Sequence, residues 1–448
     1  MDQQIGKNLK NLGLTISMGS LNFLANVGLM LPYILILAAY HESTENNFLI
    51  ALIIFYIARA ASIFYTKRFN LTSMTYLMIS VAFGAIGSFI YASTTNLYWL
   101  AVASLLWGYS AAIIWPYFLT VKLHITKSNQ SLIKRVHWLV FAILGLIFGL
   151  DILTKTAYTF SFIFLGLLYL CALPSCLLLN NLVNDFHRRD SPLKQRHFAR
   201  IWRTGLFVVF FGILAVLTTL RKVAFTVATG WLWLLLGLGF VILSVELYAD
   251  RKIVARYKTE LLNRGFLTGY ILLFNGFLAQ FILGTTGMYV VFAVYLIGFE
   301  LGHPLFNQLA KKTKWPALKF GQISLMIGHV CLLVPTSVTY ILGLLALTLY
   351  VGYDNPELNQ KLYAAEAGSD RAIVNKYRFS TYGGLFCQLI FFTLLIFVSG
   401  HYQLALLDFF TPTTLSHGQL YFYSIGWPMT LISLGLSIRN IRTMKAGI

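Results

Sequence analysis

The chain has 448 residues, of which 58% are hydrophobic, 16% aromatic and only 11% charged. Soluble domains run at about 45–50% apolar and about 25% charged, so this balance excludes a cytosolic enzyme, a nucleic-acid-binding protein and a disordered chain. The formal charge of +19 sits in short connections between long apolar stretches, where it is a membrane-topology signal and not a nucleic-acid footprint. The expected class is therefore an all-α, polytopic membrane protein.

A helix needs about 20 apolar residues to cross the hydrocarbon core. With that ruler the sequence predicts about fourteen membrane helices, at 12–40, 47–66, 72–93, 97–121, 137–154, 159–182, 203–220, 224–247, 266–282, 287–308, 319–337, 340–364, 379–399 and 420–438. The first run is long and lacks a small-residue cleavage site, so it is expected to be a span and not a signal peptide. The runs are continuous instead of alternating, which excludes barrel strands. Cys171, Cys176, Cys331 and Cys387 all fall in apolar stretches without CxxC or Cys/His spacing, so neither a disulfide framework nor a metal site is expected.

Orientation follows from the charges. With the N terminus cytoplasmic, about 30 of the 34 Lys and Arg fall on cytoplasmic segments, among them Lys67-Arg68, Lys122 to Arg135, Arg188 to Arg203, Arg251 to Arg264, Lys311 to Lys319, Arg371 to Arg378 and Arg439 to Lys445. Both termini are expected on the cytoplasmic side of the cell membrane. The longest outer connection, 400–419, carries His401, Asp408 and His417. Asp185, Asp190 and Asp250 have the look of ordinary charges of the inner connections.

The two ends of the chain repeat faintly. The fourth predicted span contains Trp107-Gly108-Tyr109 and ends in Lys122-Leu123; the twelfth contains Val351-Gly352-Tyr353 and ends in Lys361-Leu362. The offset, near 240 residues, matches span 4 with span 12. This implies two six-helix bundles with an inserted pair between them: 1–182, a central portion 183–265 made of two basic loops around the inserted pair, and 266–448. Internal repeats of this kind are a mark of secondary transporters, whose sites lie near mid-membrane.

Leu105-Leu106-Trp107-Gly108-Tyr109-Ser110-Ala111-Ala112 and Pro116 are similar to the fourth-helix motif of the major facilitator superfamily, and the six-plus-two-plus-six arrangement resembles its fourteen-helix branch. The resemblance implies two bundles and alternating access. The chain departs from that pattern in three places. Ser104 stands where the motif carries a membrane-embedded arginine. The connection between spans 2 and 3 keeps only the basic pair Lys67-Arg68. Span 5 has Gly145 and Gly149 without the proline of the antiporter motif.

Charges inside spans are costly, so each marks a candidate functional residue. At 1.5 Å per residue, Arg59, Glu300 and Asp354 fall at a similar depth, roughly 18–21 Å from the outer side. His303 lies one turn from Glu300 and Glu357 one turn from Asp354. Arg59 is a candidate anchor for an anionic group or a partner of Glu300 or Asp354. Glu300, Asp354 and Glu357 are candidates for proton or ion coupling. The run 352–361 contains Pro356 and is expected either to break the twelfth helix and line a cavity, or to be a wet cytoplasmic extension of a span that ends near Tyr353. Asn22 and Asn26 share one helix face, Asn275 sits in the ninth span, and Trp107, Tyr109 and Trp115 form an aromatic group; with Arg59 and His303 these are the candidate substrate-binding residues. His329 fits a packed histidine, and Asp151 is expected near water at the outer end of span 5.

No G-x-x-x-x-G-K-[ST] sequence is present, and no cofactor is expected. The expected partners are a small-molecule or lipid-like substrate and membrane lipids. The leading expectation is a secondary transporter of an amphipathic or anionic substrate, without enzymatic activity. The alternatives are a flippase for a lipid-linked cell-envelope precursor, with a repeat offset nearer 190–200, and an integral-membrane acyl- or glycosyltransferase.

Overall fold

The computed structural model describes residues 2–28, 31–42, 47–66, 71–127, 137–156, 158–189, 206, 209–213, 216, 229–250, 254–284, 287–366, 371–404 and 415–446. Among these residues the regular structure is helical throughout. In chain order the helices are α1 (Asp2–Val27), α2 (Leu31–Glu42), α3 (Asn47–Tyr65), α4 (Ser73–Ser93), α5 (Leu97–Lys127), α6 (His137–Thr154), α7 (Thr159–Arg189) and α8 (Thr229–Ala249). They continue with α9 (Lys258–Gly269), α10 (Asn275–Leu283), α11 (Gly287–Thr313), α12 (Ala317–Cys331), α13 (Ser337–Ala365), α14 (Ala372–Tyr402), α15 (Leu415–Tyr421) and α16 (Trp427–Ala446). Single π turns at Tyr270–Phe274 and Phe422–Gly426 join α9 to α10 and α15 to α16. Helices satisfy their own backbone groups, which a lipid environment demands.

Nine helices among the described residues are long and apolar enough to cross a membrane. The segments expected at 137–154 and 319–337 are helices of 18 and 15 residues. The expected seventh segment, 203–220, lies largely outside the described residues, as do the basic connections 67–70, 128–136 and 190–203 and the stretch 405–414 with Asp408. The first expected span is two helices, α1 ending at Val27 and α2 beginning at Leu31.

The chain forms two compact units, residues 1–215 with 367–374 and residues 216–366 with 375–448. In the first, α5 packs on α3 and α4, α7 packs on α4 and α1, and α2 packs on α3. In the second, α13 packs on α11 and α12, α16 packs on α12 and α9, and α10 packs on α11. The same set of partner choices therefore recurs within each unit. One close backbone approach recurs too. Gly108 of α5 lies against the backbone of Phe55 and Arg59 in α3, and Gly352 of α13 lies against the backbone of Gly298 and Phe299 in α11, so that a Cβ at either glycine would overlap main-chain atoms. Phe299 stands 244 residues after Phe55, as Gly352 does after Gly108, and His303 follows Arg59 by the same interval.

Local chemistry fixes the helix ends. Thr72 and Thr336 cap α4 and α13, their hydroxyls accepting the Thr75 and Thr339 amides at 3.2 and 3.3 Å. Asp151 is not a wet residue at the end of a span: it is buried, and its carboxylate accepts the amides of Phe160 (3.1 Å) and Ser161 (2.7 Å) at the start of α7. A carboxylate there answers the positive end of the helix. In the core of the first unit, Trp107 packs on Tyr91 and Phe162, with ring centroids 5.0 and 5.6 Å away, and the Tyr91 hydroxyl bonds Ser104 at 2.6 Å. Ser104, at the position of the motif's arginine, is thus part of a packed aromatic core.

Candidate functional site

The most polar interior of the second unit forms where α9, α13 and α14 face one another. Arg264 of α9 donates to Oδ2 of Asp354 at 2.6 Å, to Oδ1 of Asn355 at 3.0 Å and to the Val351 carbonyl at 3.3 Å. Lys376 of α14 donates to the same Asn355 Oδ1 at 2.7 Å and to Asn359 Oδ1 at 2.5 Å. Asn355 therefore bridges two cations, one from each neighbouring helix. Glu260, one turn before Arg264, is buried within electrostatic reach of Asp354, Arg264, Lys376 and Lys361. Two cations and two carboxylates in one buried cluster come close to balancing their charge, which is the condition for keeping ions out of water.

This cluster corrects two expectations. The run 352–361 does not break the helix, because α13 continues through Pro356 to Ala365. Its inward polar side chains, Asp354, Asn355 and Asn359, are matched by Arg264 and Lys376. Those cations, with Arg378, were expected in cytoplasmic connections, yet all three are buried on helices. Arg378 faces Asp250 at 3.0 Å, and the Tyr382 hydroxyl donates to the same carboxylate at 3.2 Å. Asp250 is accordingly a buried ion-pair partner and not an ordinary loop charge.

The other expected residues of this unit separate into two environments. The fit of Gly352 against Phe299 sets Asp354 and Glu300 at similar heights on neighbouring helices, but Asp354 points inward to Arg264 while Glu300 is exposed. Glu300 shares its face of α11 with the exposed Leu296, Ile297 and Leu301. His303 lies 3.4 Å from Glu357, accepts or shares a hydrogen bond with the Asn307 amide at 3.0 Å, and stacks on Tyr353 with centroids 6.2 Å apart. His303 and Glu357 are each about one-third exposed, so the pair is open to its surroundings. Asn275 is buried beside the π turn: its side chain donates to the Tyr270 carbonyl at 2.9 Å, and the Tyr340 hydroxyl donates to the Asn275 carbonyl at 2.8 Å. Across the π turn the Tyr270 carbonyl thus accepts both the backbone and the side-chain amide of Asn275. His329 is packed as expected, between the Leu325 carbonyl and the Ser433 hydroxyl.

In the first unit, Asn26 donates to the carbonyl and the side chain of Asn22 at 2.7 and 3.1 Å, which realises their shared face. Arg59 is partly exposed on α3, with Tyr33 and Tyr56 as electrostatic neighbours, and makes no ion pair among the described residues. Asp354, one of its two expected carboxylate partners, is held by Arg264 instead. Trp107 is fully buried, Tyr109 is half-buried against Phe83 at 5.4 Å, and Trp115 is half-buried on the same helix. His401 lies in the last turn of α14 and is exposed.

Sequence reading missed Arg264, Glu260, Lys376 and Arg378. One signal was present: Glu260 and Arg264 are four apart, the spacing of one helix face, directly before an apolar run. Lys376 and Arg378 carried no such mark.

No protein-family model and no curated protein matches the chain in sequence. Among solved structures, a POT family transporter in complex with 5-aminolevulinic acid is similar at a TM-score of 0.51 and 13% identity, over 96% of each chain. The nucleoside transporter NupG matches over 97% of this chain and 99% of its own, at a TM-score of 0.44 and 12% identity. The peptide transporter POT in complex with sulfate matches over 96% and 95%, at 0.46 and 14%. The chain is a multi-pass membrane protein with the fold of the major facilitator superfamily, at low sequence identity to the solved example.

Proposed function

We propose that this protein is a secondary active transporter, not an enzyme, that moves a small amphipathic or anionic substrate across the cell membrane by alternating access. The observation that carries the reading is the full-length likeness in fold to a transporter, joined to charged side chains set within membrane-crossing helices. Arg59, with no ion pair among the described residues, is the anchor for an anionic group. Asn22, Asn26, Trp107, Tyr109, Trp115, Asn275 and His303 complete the proposed binding set. Glu300, Glu357 and Asp354 are the proposed coupling carboxylates, and the exposed Glu300 is the first to test because Asp354 is already committed to Arg264.

The division into 1–182, 183–265 and 266–448, about fourteen spans and cytoplasmic termini belong to the same proposal. The recurrence of the α3–α5 fit in α11–α13 at an interval of 244 residues supports it over a lipid-linked-precursor flippase, for which an interval nearer 190–200 is expected. The POT family transporter of similar fold is solved in complex with 5-aminolevulinic acid, so small carboxylates and amino-acid derivatives are the first substrate classes to try.

The test is uptake into proteoliposomes with and without a pH gradient. Saturable uptake lost in Arg59→Gln and uncoupled from the gradient in Glu300→Gln is the expected result. Equal uptake by the wild-type protein and by protein-free vesicles across these classes argues against the reading.

A further inference from the structure

The connection from α11 to α12 reads Lys311-Lys312-Thr313-Lys314-Trp315-Pro316-Ala317-Leu318-Lys319. Between Glu300 and Asp354 the sequence has no acidic residue, so these four lysines have no counter-charge nearby along the chain. In the structure all four are exposed, and none makes an ion pair among the described residues. The turn has a defined backbone path. Lys314 adopts a left-handed conformation (φ 61°) with its amide bonded to the Ala310 carbonyl at 3.1 Å, and Pro316 caps α12. Trp315 is 48% exposed, with its ring tilted against Phe320 at 5.9 Å between centroids and the Lys319 ammonium 3.9 Å from its own centroid.

These features differ from those of a wet, solvated turn. A tryptophan left half-exposed at the end of a membrane-crossing helix is at home at the headgroup level, where its apolar ring and polar N–H are both satisfied. The cation–π contact holds one lysine at that level, and the other three surround it. Lysine ammonium groups bind phosphate as point charges, and a basic cluster next to a span attracts anionic lipid. We propose that the 311–319 turn is a docking surface for the phosphate headgroups of anionic phospholipids, with Trp315 as its depth anchor. Lipid is favoured over a soluble anion because the anchor is aromatic and the turn closes two helices, α11 and α12, of which α11 is long enough to span.

The experiment uses the full-length protein in nanodiscs of phosphatidylcholine alone or with phosphatidylglycerol, with bound lipid counted by native mass spectrometry. The expected result is a preference for phosphatidylglycerol that falls at least about tenfold in the variant Lys311→Gln, Lys312→Gln, Lys314→Gln, Lys319→Gln, given a few-fold contribution from each surface lysine. Trp315→Ala should weaken the preference while leaving its salt dependence in place. Wild-type protein supplies a measure independent of the variants: its preference should fall as salt is raised from about 0.05 to about 0.5 M, as screening requires. Inorganic phosphate at millimolar concentration should not displace the lipid. Displacement by phosphate would make this a soluble-anion site and overturn the proposal, as would equal retention of the two lipids by the wild type or an unchanged preference in the four-lysine variant. The readout is lipid retention and does not depend on transport.

Discussion

Arg264 grips the Asp354 carboxylate at 2.6 Å across two helices that are 90 positions apart in the chain, with both side chains below one-tenth exposed. Breaking a buried pair by removing one partner leaves an uncompensated ion in the interior. Asp354→Asn and Arg264→Gln are each expected to destabilise the protein by about 3–5 kcal/mol. The Arg264→Met, Asp354→Leu double variant should cost less than the sum of the two single changes. Thermal melting in detergent measures all of these, and wild-type melting in both single variants would remove the pair from the account of stability.

Glycines 108 and 352 mark close helix approaches in their units, each against the backbone of a neighbouring helix. Gly108→Val and Gly352→Val should each destabilise by about 1–3 kcal/mol or more, because the new side chain meets main-chain atoms that cannot move aside. Gly145 and Gly149 have open space around them, so alanine there should be neutral or stabilising by up to about 1 kcal/mol. A uniform response at all four positions would contradict the packing described.

Trp107 sits between Tyr91 and Phe162 with no exposed surface. Trp107→Ala is expected to cost about 3–5 kcal/mol through the cavity it leaves. Trp107→Phe should recover much of that stability. Ligand affinity measured on Trp107→Phe separates packing from binding: a large loss of affinity at near-wild-type stability would place the ring at the substrate.

Asp151 accepts two amides at the start of α7. Asp151→Ala should lower stability by about 0.5–2 kcal/mol, and Asp151→Asn by less because one acceptor oxygen remains. Hydrogen exchange should show the change concentrated in the first turn of α7; an effect spread evenly through the unit would point to another cause.

The sequence by itself determined that this is an all-helical membrane protein, because a run of about 20 apolar residues can satisfy its backbone in lipid only as a helix. It also disclosed the repeat through Trp107-Gly108-Tyr109 and Val351-Gly352-Tyr353, since a glycine needed for close helix approach leaves a local mark. Asn22 and Asn26 could be placed together because four residues is one helical turn. The tertiary structure alone decided which charges are buried. Arg264, Lys376, Arg378 and Asp250 have the same composition and flanks as the solvated charges of a connection, and a topology rule counts them as such. Their burial depends on partners up to 132 positions away, as Asp250 and Tyr382 are, and on helices that extend past the apolar run. Proline 356 gave the same lesson in reverse: the break it predicted was overridden because Arg264 and Lys376 hold the surrounding side chains in a continuous helix. Hydropathy measures what a residue costs to bury alone, and only the folded chain shows what stands beside it.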